Sequence, residues 1–226
     1  MLANTSSKKI LHRLLNFIDF VNSLTMEQLN HFFFTIINAT PSSSVVMIMF
    51  ASMVAKYVIF IIPLLLVGLW LWGPSDRIVL LRQLLVKTAL ALIFALCVAY
   101  LIGHLFPSDR PFVKNFGYTF LFHAPNNAFP SNHGSAIFTF ALAFLFWHRL
   151  WSGISLMIVA LAIAWSRIYL GLHWPLDMLG AFFVGLISCF LSQQGWCLWG
   201  NSIMRRLLRF YRYCFASLIR KGWVNN

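Results

Sequence analysis

Residues 45–72 form an apolar run interrupted by Lys56 and Pro63, and four further apolar runs follow at 88–106, 134–150, 154–172 and 174–191. A helix needs about 20 apolar residues to cross a bilayer. A crossing segment must satisfy its own backbone hydrogen bonds, so only helices or closed barrels span membranes. Runs of this length therefore predict an all-α fold: a polytopic bundle of five membrane helices, with a sixth left open. The composition agrees. The chain is 60% hydrophobic and 10% charged over 226 residues, against roughly 25% charged in ordinary soluble domains. A soluble chain of that size has too little interior for so much apolar surface. The connections are short and there is no internal repeat. A single membrane domain is expected at 45–195, preceded by an N-terminal extension (1–44) and followed by a basic tail (196–226).

The ends are less regular. Segment 10–24 contains His12, Arg13, Asn16, Asp19 and Asn22, which makes it too polar to span and unlike a signal peptide. Segment 29–39 is apolar but short, and suits an interfacial or re-entrant helix. Met26 offers an alternative start. Seventeen Lys and Arg against five Asp and Glu give a net charge of +12. With five crossings, Arg77, Arg82, Lys87, Arg149, Arg205, Arg206, Arg209, Arg212, Arg220 and Lys221 fall on one side, which the positive-inside rule makes cytoplasmic. In 202–220, Arg205, Arg209 and Arg212 alternate with Leu207, Leu208, Phe215 and Leu218. That pattern predicts a basic amphipathic helix on the inner leaflet and not a nucleic-acid site. The five carboxylates are Asp19, Glu27, Asp76, Asp109 and Asp177. So few oxygen ligands argue against a calcium or two-metal site, and neither a metal nor a cofactor is expected. Cys97, Cys189, Cys197 and Cys214 lack CxxC spacing and read as packing residues.

The opposite side collects the functional residues. Arg110 and Pro111 follow the second run, Pro130-Ser131-Asn132-His133 open the third, and Ser166, Arg167, His173 and Asp177 mark the junction of the fourth and fifth. Ionisable residues beside membrane spans are costly to bury and usually functional. Two guanidiniums can grip phosphate oxygens bidentately, and Ser131 adds a hydroxyl. The amides of Asn132, His133 and Gly134 would open a helix, whose N-terminus favours anions. One histidine can attack phosphorus while another protonates the leaving oxygen. His173 and Asp177 are four apart, on one face if that turn is helical. The carboxylate would then fix the tautomer and leave the other ring nitrogen free. This is the inventory for phosphoryl transfer.

These residues resemble the type 2 phosphatidic acid phosphatase superfamily, whose motifs are KxxxxxxRP, PSGH and SRxxxxxHxxxD. The third motif is complete in Ser166, Arg167, His173 and Asp177. The second has Asn132 in place of glycine. The first keeps Arg110-Pro111 but has Gly103 at the lysine position, with His104 beside it. Segments 103–112, 129–144 and 165–180 resemble most closely the bacterial undecaprenyl-diphosphate phosphatases of the bacitracin-resistance type. The resemblance covers roughly residues 26–194. It implies that His173 is a nucleophile forming phosphohistidine, Asp177 its orienting partner and His133 the general acid. Arg110, Ser131 and Arg167 would hold the phosphate without a metal, and Asn132 is expected to add a contact from the start of its helix. The implied reaction converts undecaprenyl diphosphate to undecaprenyl phosphate and phosphate at the periplasmic face of the bacterial inner membrane, recycling the envelope carrier lipid. The implied partners are the polyprenyl diphosphate and membrane lipids, with no obligate protein partner.

Alternatives within the family are phosphatases of phosphatidylglycerol phosphate or other glycerolipid phosphates, and a phosphotransferase from undecaprenyl diphosphate to lipid A. Outside it stands a small transporter or structural membrane protein, against which the lack of inverted repeats argues. The absent motif lysine raises the question of what balances a diphosphate's charge. Lys56, inside the first run, is expected to take that place, with His104 or Lys114 as weaker candidates.

Overall fold

The computed structural model describes residues 25–225, so the polar segment 10–24 lies outside the described residues. Among the described residues every regular element is a helix. Helix α1 spans Met26–Ile37. It opens on a capping box in which Thr25 Oγ1 accepts from Gln28 N (3.3 Å) and Gln28 Oε1 accepts from Thr25 N (2.8 Å). At 12 residues it rises only about 18 Å, too little to cross a bilayer. It lies instead against the site end of the bundle. His31 stacks on Phe116 at 4.5 Å between ring centres, and Phe34 packs on Trp174 at 5.0 Å.

The first crossing is two helices, α2 (Val45–Tyr57) and α3 (Ile61–Trp72), joined by a 3₁₀ turn at Val58–Phe60. Pro63 explains the joint. It has no N–H, and its ring crowds the carbonyl four residues earlier, at Ile59. Helix α4 spans Ile78–Leu105, α5 Asn132–Trp147, α6 Leu150–Tyr169, α7 Pro175–Cys214 and α8 Ala216–Arg220. Four segments are long and apolar enough to span: Val45–Trp72, Ser75–Leu105, Leu150–Tyr169 and Pro175–Cys214. The remaining apolar run is the shorter helix α5, of 16 residues. It forms the axis of the bundle, packed against α4, α6 and α7. Ile137, Phe140, Ala141 and Ala143 of α5 are fully buried. A helix surrounded by protein need not match the bilayer thickness.

Two boundaries differ from those expected. Helix α4 begins ten residues before Thr88, and the charges of Arg82 and Lys87 in its first turns are compensated. The Arg82 guanidinium lies 5.1 Å from the Trp70 ring and 4.7 Å from the Tyr211 ring, and donates to Asn225 O at 2.8 Å. Lys87 donates to Gln193 Oε1 at 2.6 Å and sits 4.0 Å above the Trp147 ring. Helix α7 does not stop near Leu191 but continues to Cys214, so the basic tail is its extension and not a separate helix. The extension does not project straight onward. Ser192 Oγ donates to Lys87 O, while Leu207 and Phe210 share an apolar groove with Val86 and Ala89 of α4. Eighteen further residues of straight helix would have carried Phe210 about 27 Å past Ser192. The far half of α7 therefore runs across the end of the bundle, opposite α1. Of the cysteines, Cys189 is buried, but Cys97, Cys197 and Cys214 are exposed, and all four are free thiols.

Candidate active site

Four elements meet where α4, α5, α6 and α7 end on the α1 side. The 106–131 loop brings Arg110, the first turn of α5 brings Ser131 and His133, the last turn of α6 brings Arg167, and the α6–α7 turn brings His173. The tight α6–α7 turn rests on Gly171 at φ +75, where a Cβ would collide with Tyr118 O. Asp177 is in the first turn of α7, after Pro175 at its start. Its Oδ2 accepts from the Trp174 amide at 2.8 Å and from His173 Nδ1 at 3.1 Å. The carboxylate is thus fixed by the helix it caps, and it fixes the imidazole in turn.

With Nδ1 donating to Asp177, Nε2 of His173 carries the lone pair. Arg110 Nη1 lies 2.9 Å from Nε2, Ser131 Oγ 3.4 Å and Arg167 Nη2 3.5 Å. His173, Asp177, Arg110, Ser131 and Arg167 are all buried. Burial holds the His173 ring well below the ordinary histidine pKa, and the charges of Arg167 and Arg110 act in the same direction. A neutral imidazole with a free Nε2 is a nucleophile ringed by hydrogen-bond donors. Burial also lowers Arg110 to about 10, opposed by the Asp177 charge, which leaves it a cation at neutral pH. Arg110 is tightly held. Nε and Nη2 donate to Asn126 Oδ1 at 3.1 and 2.8 Å, and Nη1 to Leu172 O at 3.0 Å. Arg167 is buried, and its Nε has no partner among the described residues.

The structure brings five of the expected residues into direct contact: His173, Asp177, Arg110, Arg167 and Ser131. His133 is half-buried in the first turn of α5. Asn132 is exposed. His104 is exposed too, with its ring 4.8 Å from that of Tyr100, one turn earlier on α4. Lys114 lies 3.9 Å from Glu27 at the surface. Lys56 is exposed and has no hydrogen bond or ion pair among the described residues, but the carbonyl of its neighbour Ala55 lies 3.5 Å from Arg167 Nη1. At the motif-lysine position, a side chain on Gly103 would meet Asn127 Nδ2, which donates to Gly103 O and Phe129 O.

Two site residues have no motif to mark them. Asn126 clamps Arg110, and His123 Nε2 lies 3.2 Å from Arg167 Nη2. The only hint in the sequence is that both belong to the polar stretch just before Pro130.

The chain was compared with known proteins. Residues 84–197 match the PAP2 superfamily. The chain is 55% identical over 201 residues to YbjG of Escherichia coli (strain K12), a provisionally named undecaprenyl-diphosphatase, covering 89% of this chain and all of that one. It is 33% identical over 138 residues to the undecaprenyl-diphosphatase BcrC of Bacillus subtilis (strain 168), covering 61% of this chain and 69% of the relative. In fold it is similar to the crystal structure of Aquifex aeolicus LpxE, with TM-score 0.62 and 23% identity over 76% of this chain and 99% of that one. A multi-pass bundle, a buried His–Asp pair between two arginines and a match over half its length lead to one assignment: the chain belongs to the PAP2 superfamily.

Proposed function

We propose that the chain hydrolyses undecaprenyl diphosphate to undecaprenyl phosphate and inorganic phosphate through a phosphohistidine at His173. The observation that carries this reading is the His173 Nε2 lone pair facing Arg110, Arg167 and Ser131, while Nδ1 is committed to Asp177. Nε2 attacks the terminal phosphorus, and the bond from phosphorus to the bridging oxygen breaks. His133 gives its proton to the leaving lipid phosphate. It then takes a proton from the water that attacks the phosphohistidine, releasing phosphate and restoring Nε2. Arg110, Arg167 and the Ser131 hydroxyl carry the charge on the three equatorial oxygens. Lys56, beside Ala55 and level with Arg167, serves the lipid-side phosphate.

The polyprenyl substrate is supported by the names of the two relatives. A site at the end of the bundle away from the arginine-rich α7 extension supports action from the periplasmic side of the inner membrane. The test is phosphate release by the purified protein from undecaprenyl diphosphate, set against phosphatidylglycerol phosphate. Preference for the polyprenyl diphosphate is expected. Equal or better turnover of the glycerolipid would overturn the assignment.

A further inference from the structure

The two arginines of the site are held in different ways. Arg110 has bonds to the Asn126 side chain and to the carbonyls of Asn126, Asn127 and Leu172. Arg167 is just as deeply buried, yet its Nε has no partner among the described residues, and its Nη1 contact with Ala55 O is long at 3.5 Å. Its shortest polar contact runs from Nη2 to His123 Nε2, at 3.2 Å. His123 Nδ1 lies 3.0 Å from Ala124 O. A carbonyl can only accept, so that contact puts the ring proton on Nδ1 and the lone pair on Nε2, aimed at Arg167. The His123 and His173 ring centres are 6.3 Å apart, with planes at 78°. His123 therefore approaches the guanidinium from the loop while the nucleophile approaches from the α6–α7 turn.

We propose that His123 is a positioning residue: its Nε2 lone pair holds the Arg167 guanidinium beside the nucleophile, leaving Nε and Nη1 for phosphate oxygens. Asn126 does the corresponding work for Arg110. The inference rests on the phosphatase reading above. A proton-donor role fits the geometry poorly, because Nε2 faces a permanent cation. Burial, together with the charges of Arg110 and Arg167, also keeps the ring neutral below the ordinary histidine range, against the opposing effect of the Ala124 hydrogen bond.

The test uses the full-length protein in detergent, with orthovanadate as a phosphate mimic. Orthovanadate affinity is read from protection against thermal unfolding, and kcat and KM are measured separately on undecaprenyl diphosphate. His123→Ala is expected to weaken orthovanadate binding and to lower kcat/KM about ten- to hundredfold, the range for losing a hydrogen bond to a charged group. In His123→Gln, Oε1 reaches the former place of Nε2 as an acceptor, and most of both losses should be recovered. The His123→Ala/Arg167→Ala double variant should be no worse than Arg167→Ala, since the histidine acts through that arginine. Wild-type orthovanadate affinity in His123→Ala would overturn the proposal. So would a His123→Gln protein as impaired as the alanine variant, or losses that multiply in the double variant. If the wild-type protein releases no phosphate from undecaprenyl diphosphate, the substrate assignment fails, while the orthovanadate comparison still decides the role of His123.

Discussion

His173 commits one ring nitrogen to a carboxylate and offers the other to two arginines and a serine. This division of labour was legible from the spacing in Ser166, Arg167, His173 and Asp177, because a turn followed by the first turn of a helix brings those positions together. His123 and Asn126 were not legible. Their contacts with Arg167 and Arg110 span 44 and 16 residues and depend on how the 106–131 loop folds back, which no periodicity encodes. The motif lysine has a physical account as well: Asn127 fills the space beside Gly103. Lys56 is exposed beside Ala55, whose carbonyl lies 3.5 Å from Arg167 Nη1, and it has no hydrogen bond or ion pair among the described residues. Lys56→Met keeps the apolar stem and removes the charge, so folding should be spared. Its kcat/KM on undecaprenyl diphosphate should fall by about 1–3 kcal/mol of transition-state binding. An unchanged value in well-folded protein would make Lys56 a residue that merely snorkels to the surface.

At the scale of elements, the α6–α7 turn sets the aim of His173. Gly171 holds φ +75 directly under Tyr118 O, so Gly171→Ala combines a disfavoured backbone conformation with a clash. The expected cost is about 1–3 kcal/mol of stability, read as a lower Tm in detergent, with a parallel loss of phosphate release as His173 shifts. A variant with wild-type Tm and activity would show that the turn tolerates a side chain. The long apolar runs were readable because length and hydropathy alone decide whether a helix can span. The start of α4 and the end of α7 were not. Arg82 and Lys87 looked like boundary residues, but Trp70, Tyr211, Trp147 and Gln193 make them tolerable inside a helix. Segment 29–39 read as a short non-spanning helix, and α1 at Met26–Ile37 is one, shifted toward its Thr25 cap.

For the whole molecule, the chemistry gathers at one end of the bundle and the surplus arginines of α7 at the other. The site's positive charge comes from guanidiniums, so activity should survive excess EDTA; loss of turnover restored by magnesium would contradict an arginine cradle. Folding also keeps His173 and His123 neutral, with pKa values below the ordinary 6.5. The unfolded chain binds more protons there, so stability rises with pH. This contribution is complete above about pH 6.5 and is lost progressively as pH falls below it toward the depressed folded values. Tm should be higher at pH 7.5 than at pH 5.5, and the difference should shrink in His173→Gln; an equal or higher Tm at pH 5.5 would contradict this. The central claim is covalent catalysis at His173, and trapping the intermediate tests it most directly. Undecaprenyl diphosphate labelled in its terminal phosphate is mixed with enzyme and quenched in alkali, where phosphohistidine survives. Label on the peptide containing His173 is the predicted result, absent in His173→Ala and retained in His133→Ala, which slows both formation and turnover of the intermediate by about 10²–10⁴-fold. Phosphate release at full rate with no protein-bound label, or label that persists in His173→Ala, would contradict it.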